Sequence, residues 1–177
     1  KEMGIRKSKK RKKKSKSKSE DEEKAKFPKK SRFFFEVTKA DLAIKQADYK
    51  QAVTNLEKAL EFCKKSADKA RVHFILGQLN SLNGDREKAK YHYGKVLRYN
   101  APFEMNFNAR INRALMGGSQ KIKQELQKML KDDKNVDFQD QIYFALAELA
   151  LKEDNEPLAV ELLQKSINTS VSNNKQK

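Results

Sequence analysis

Cysteine is almost absent from this sequence. Cys63 stands alone, so the chain forms no internal disulfide and no cysteine zinc site. A lone cysteine does not reveal the redox compartment. Tryptophan is missing altogether, and only three prolines interrupt the chain. Stretches of alternating β-branched residues are scarce, which argues against sheets. No run of eighteen apolar residues occurs, so no segment reads as a membrane span. Neither a leader nor a lipidation motif is visible, and the sequence reads as a piece of something longer.

Catalytic signals are equally thin. His73 and His92 are the only histidines, with no carboxylate pair at ligand spacing beside them. They read as surface or inter-helix packing residues. Cys63 lies on an apolar stripe without a base partner, which suits a small buried residue rather than a nucleophile. Gly117-Gly118-Ser119 lacks the flanking glycine and Lys-Ser/Thr of a phosphate loop, so it reads as a helix stop. No catalytic, cofactor-binding or metal-ligating residue is assigned. The expectation is a non-enzymatic chain with no cofactor and no small-molecule substrate.

What is abundant is charge, together with the helix formers Glu, Lys, Leu, Ala and Gln. The net charge is +16, unevenly spread. Residues 1–32 hold 16 Lys/Arg against 5 Asp/Glu, a net +11, and the remainder holds 24 against 19, a net +5. Residues 1–30 are Lys/Ser-rich and of low complexity. With nothing to bury and like charges in series, they predict a disordered segment or linker. Glu20-Asp21-Glu22-Glu23 partly offsets the lysines. Such a run contacts phosphates, serves as an address or meets an anionic membrane without specificity. It has no interleaved aromatics of a single-strand platform, so nucleic acid is a disfavoured partner.

Helical periodicity begins near Ser31. The spacing predicts helices over about Ser31–Ala47 (stripe Phe34, Val37, Ala40, Ile44), Tyr49–Lys64, Arg71–Asn83 (stripe Phe74, Leu76, Leu79, Leu82) and Asp85–Tyr99. Further helices follow over Glu104–Met116 (Phe103, Phe107, Ile111 and Leu115 on one side), Gln120–Lys131, Gln139–Lys152 and Glu156–Thr169. Asp132–Val136 reads as a short charged loop, and residues 171–177 as a polar tail. In Asn83-Gly84-Asp85, Gly84 suits a positive φ and Asp85 a helix N-cap. Ala52, Ala89, Ile122 and Ala159 stand 37, 33 and 37 residues apart, each followed four residues later by Leu56, Tyr93, Leu126 or Leu163. A turn precedes each. A period held in phase over four units marks a repeat architecture, since no such pair buries its apolar face alone. Leu163 and Ile167 meet no following unit, which predicts that the parent chain continues beyond Lys177.

The stretch LGQLNSLNGDREKAKYHYGKVL resembles the tetratricopeptide repeat, a helix-turn-helix of about 34 residues. That resemblance implies an all-α, right-handed superhelical solenoid of about four helix pairs over residues 31–170. KARVHFILGQL, PFEMNFNARINRA, DQIYFALAELAL and INTSVSNN further resemble the tetratricopeptide lipoproteins of Bacteroidota linked to gliding motility and type IX secretion. This narrower likeness implies a periplasm-facing scaffold of the cell envelope, anchored in the inner or outer membrane by a lipid outside this chain. The alternatives are a cytoplasmic or nuclear tetratricopeptide adaptor using the basic run as an address, or a nucleic-acid-associated protein. In a tetratricopeptide stack the first helix of each pair lines a concave groove. Its phase points Val37, Asp41, Arg71, Phe74, Gln78, Glu104, Phe107, Asn108, Ile111, Gln141, Phe144 and Glu148 towards that groove or its rim, and Arg71, Phe74, Gln78, Phe107, Asn108, Ile111, Gln141, Phe144 and Glu148 are the expected partner-binding residues. Apolar positions mixed with amides and charges suit an extended peptide or a helix of a protein partner. The carboxylate clamp of co-chaperones has no match.

Overall fold

The computed structural model describes Pro28 and residues 31–170. The expectations for residues 1–30, Pro28 aside, and for 171–177 lie outside the described residues. Eight α-helices follow one another: α1 (Arg32–Lys45), α2 (Tyr49–Phe62), α3 (Ser66–Leu82), α4 (Arg86–Val96), α5 (Phe103–Leu115), α6 (Gln120–Met129), α7 (Gln139–Lys152) and α8 (Glu156–Thr169). The pairs α1–α2, α3–α4 and α7–α8 are closely packed hairpins.

One turn geometry makes these hairpins. Positive φ occurs at Ala47 (59°), Gly84 (79°), Gly117 (130°) and Asp154 (55°). Each lies five residues before the small or branched position of the repeat, so backbone and side-chain patterns share one phase. Three of the turns then close identically. The N–H groups of Asp48, Asp85 and Asn155 reach back to the carbonyls of Ala43, Asn80 and Ala150, each at 2.9 Å. This is the double reach-back of a left-handed helix stop. The same three residues turn their side chains forward and accept the N–H groups of Gln51, Lys88 and Leu158. One residue therefore ends one helix and caps the next.

The third pair departs from this plan. Four residues rather than three join α5 to α6, and glycine stands at position 118 where the other turns carry the cap. The reason lies across the fold, where a Cβ on Gly118 would sit 2.5 Å from Leu149 Cδ2 of α7. Without a capping side chain, α6 starts one residue late, and Ser119 makes no side-chain cap. α5 and α6 make few direct contacts; instead both lean on α7. Phe107, Ile111, Ile122, Leu126, Ile142 and Leu149 form their shared core. Lys152 Nζ donates to the Leu115 carbonyl (2.6 Å), and Lys123 Nζ to the Glu153 carboxylate (2.6 Å), tying α7 to both partners.

The repeat positions are filled as the spacing requires. Ala52, Ala89 and Ala159 are fully buried and Ile122 nearly so, as are Leu56, Tyr93 and Leu126 four residues on. Leu163 is half-buried. Gly77 belongs to the same set, because a Cβ there would lie 2.6 Å from the Tyr93 ring.

Several expectations need correcting. The stripe on α1 runs through Phe33, Val37, Ala40 and Ile44, while Phe34 is 66% exposed. Phe33 and Phe34 both satisfy the helical period; packing against α2 selects Phe33. Leu82 is likewise exposed at the last turn of α3, and Phe103 half-exposed at the first of α5. α3 begins at Ser66 rather than Arg71, because Lys65 takes an extended conformation and Asp68 supplies an acid to the first turn. α4 stops at Val96 rather than Tyr99. The loop at Asp132–Val136 is a 3₁₀ helix over Asp133–Phe138, capped by Asp132 and pinned by buried Asn135, whose Nδ2 donates to the Met129 carbonyl (2.9 Å).

Candidate interaction site

α5, α7 and α8 together shape a cleft of about 290 Å³. Its floor is Ile111 of α5, almost entirely buried. Its wall is Phe144 of α7, 44% exposed, with Gln141 three residues earlier on the same helix face. Asp140 and Ser166 close it. Ser166 Oγ donates to the Asp140 carbonyl (2.8 Å), joining α8 to the first turn of α7. The Asp140 carboxylate sits where the helix N-terminus favours an anion. Its Oδ1 is buried and accepts no hydrogen bond among the described residues. That oxygen is covered by the surrounding side chains, so a donor entering the cleft does not reach it. The cleft thus offers an apolar floor, an aromatic wall and one amide.

A second cleft, about 470 Å³, lies between α5 and α6 where the third pair opens. Phe107 lines it but is almost fully buried, packed at a tilt against Phe138 with the ring centroids 4.9 Å apart. The Arg110 guanidinium donates to the Glu125 carboxylate and, through Nε, to Asn106 Oδ1 (3.2 Å). Arg113 Nη1 stands 3.8 Å from the other Glu125 oxygen. Burial and the adjacent Arg113 hold the Arg110 pKa below its ordinary range. These charges largely satisfy one another.

The structure thus gathers Ile111, Gln141 and Phe144 from the nine groove candidates. Arg71, Gln78 and Asn108 are exposed on α3 and α5 but do not line that cleft. Phe74 is half-buried, edge-to-face on Tyr93, and Phe107 belongs to the core. Glu148 is half-buried on α7. Asp140 and Ser166 escaped the sequence reading. An acid in a first helical turn reads as a start signal, and nothing local to Ser166 announces a partner 26 residues away. The two histidines pack between α3 and α4, as expected. Cys63 is buried, and burial pushes its thiol pKa up.

Among the described residues no three His, Cys, Asp or Glu side chains form a metal-binding group, and no helix is long and apolar enough to cross a membrane. Residues 37–66, from within α1 through α2 to the first residue of α3, match the tetratricopeptide repeat family. No curated protein matches the chain. The in-phase turns repeat the helix-turn-helix plan of that matched stretch through α8.

Proposed function

We propose that this tetratricopeptide repeat protein is a non-enzymatic scaffold that seats a peptide or helix of a partner protein against the first helices of its repeats. Tetratricopeptide folds are typical of such scaffolds. The observation that carries the reading is the α5–α7–α8 cleft, where the exposed Phe144 ring and the Gln141 amide stand over the apolar floor of Ile111. An apolar partner side chain lies on Ile111 and Phe144, and Gln141 bonds the partner backbone. Crosslinked pull-down with the full chain tests this. Phe144→Ala with Gln141→Ala should lose the captured proteins while circular dichroism stays unchanged. Undiminished capture by that variant would reject the cleft as the seat.

At a finer level, we place this scaffold in the type IX secretion and gliding-motility apparatus of the cell envelope, held by a lipid anchor outside this chain. Support comes from the wording of four stretches, among them DQIYFALAELAL at residues 140–151, which builds α7 and most of the cleft. Recovery of envelope or secretion proteins in the same pull-down is the expected result. Recovery of cytoplasmic proteins alone would overturn this placement and leave the scaffold reading standing.

A further inference from the structure

α4 carries a stripe that the repeat core does not use. Lys90, Tyr91, Gly94 and Lys95 share one helix face, and Arg98 continues it in the turn after Val96. With Arg113 of α5 they line a cleft of about 520 Å³ on other residues than the α5–α7–α8 cleft. Four cations meet there, and Glu87 is the one acid among the lining residues. Lys90 and Arg98 join no ion pair among the described residues. Lys95 rests over the exposed Tyr91 ring, its Nζ 4.9 Å from the centroid. Arg113 has only a distant share in Glu125, which Arg110 already engages. Its Nε is 3.8 Å from where a Cβ on Gly94 would stand, so the guanidinium crosses bare helix backbone.

A concave patch of one sign focuses field and attracts the opposite charge. From Lys90 to Val96 the helix rises about 9 Å and Arg98 follows in the turn beyond it, a span that matches two or three carboxylates on an extended segment. A nucleic acid strand suits it less, because Tyr91 is the single aromatic and successive bases need successive stacking partners.

We propose that the α4–α5 cleft is a second interaction surface, which takes an acidic peptide segment of a partner protein. Partner carboxylates pair with Lys90, Arg98 and Arg113, and an apolar partner side chain lies against Tyr91. Binding at this face steers encounter by charge, while the α5–α7–α8 cleft relies on apolar contact.

The chain has no tryptophan, so Tyr91→Trp introduces a single fluorophore at the cleft edge. The probe is the acetylated hexapeptide Glu-Glu-Leu-Asp-Glu-Glu, titrated into the full chain at low salt. A saturable emission change is expected. Adding Lys90→Glu and Arg98→Glu should weaken it about tenfold or more, since two close charge pairs are reversed. Lys58→Glu with Lys121→Glu makes the same net change elsewhere and should leave affinity within about twofold. Circular dichroism verifies the fold of each variant. Three results overturn the proposal: no saturable change; equal weakening by the Lys58/Lys121 control, which assigns binding to overall charge; or tighter saturation by hexauridylate, which makes the face a nucleic-acid surface. Phe144→Ala should leave this titration unaltered, so failure here is separable from failure of the first cleft.

Discussion

His73 and His92 face each other across the α3–α4 hairpin with their Nδ1 atoms 3.0 Å apart. Both are buried, and His73 also stacks on Tyr99 at 5.6 Å with the rings 9° from parallel. One Nδ1 donates its hydrogen while the other accepts, so the accepting ring is neutral and carries its hydrogen on Nε2. Burial lowers the His73 pKa to about 4, with His92, Lys95 and Lys69 adding to the effect. Burial lowers His92 too, aided by Lys88 and Lys95 and opposed by Asp85.

The unfolded chain takes up these protons near its ordinary histidine pKa, well above the folded values. The unfolded state therefore binds more protons in the interval, and stability falls as pH drops. The contribution is complete above about pH 6.5 and is lost on acidification towards about 4. Urea unfolding should show a loss of about 2 kcal/mol between pH 6.5 and 4.5. His73→Phe keeps the ring against Tyr99 and removes the larger titration, so its stability curve should be flatter. Parallel curves for the two proteins would refute the assignment.

Gly77 and Gly84 are glycine for different reasons, and alanine distinguishes them. Gly77→Ala drives a Cβ into the Tyr93 ring and should cost about 1–3 kcal/mol through repacking. Gly84→Ala meets open space and suffers only the left-handed backbone, about 1 kcal/mol. Equal losses in urea midpoints would contradict the close approach of α3 to α4.

The capping asymmetry is measurable as well. Asn155→Ala should cost about 1 kcal/mol by freeing the Leu158 N–H. Ser119→Ala removes no side-chain cap and should change the midpoint by no more than a few tenths of a kcal/mol. Gly118→Asn, which would restore a cap to α6, should destabilise instead, since its Cβ meets Leu149. A stabilised Gly118→Asn protein would show that α7 does not dictate the opening of the third pair.

Glu125 holds two arginines. Glu125→Gln leaves Arg110 and Arg113 facing each other in a half-buried setting and should cost about 1–2 kcal/mol. Glu161→Gln, which disrupts an exposed pair with Lys165 on α8, should leave thermal unfolding nearly unchanged. Comparable losses would mean that the Glu125 network contributes no more than an ordinary surface pair.

Much of the architecture was legible because it depends on local chemistry. Helices α7 and α8 fall where periodicity and the cap at Asn155 require. The alternation of small and large positions located every hairpin, since each second helix must approach its neighbour through Ala52, Ala89, Ile122 or Ala159. Choices between adjacent apolar residues were not legible. Phe33 and Phe34 are equivalent to any period count, and only the position of α2 decides which is covered.

The candidate clefts divide in the same way. By itself the sequence determined that the chain is a series of helix pairs, that no metal or nucleophile constellation is assembled from adjacent residues, and that Ile111, Gln141 and Phe144 lie on the first helices of their pairs. Helical period and turn chemistry act over a few residues, so they are written locally. Tertiary structure alone decided that Ser166 meets Asp140, that His73 finds His92, and that Arg113 reaches the α4 stripe. It also opened the third pair, because Leu149 occupies the space that a capping side chain at position 118 would need. Those relationships join residues 19 to 31 positions apart, and their geometry follows from how whole helices lean on one another.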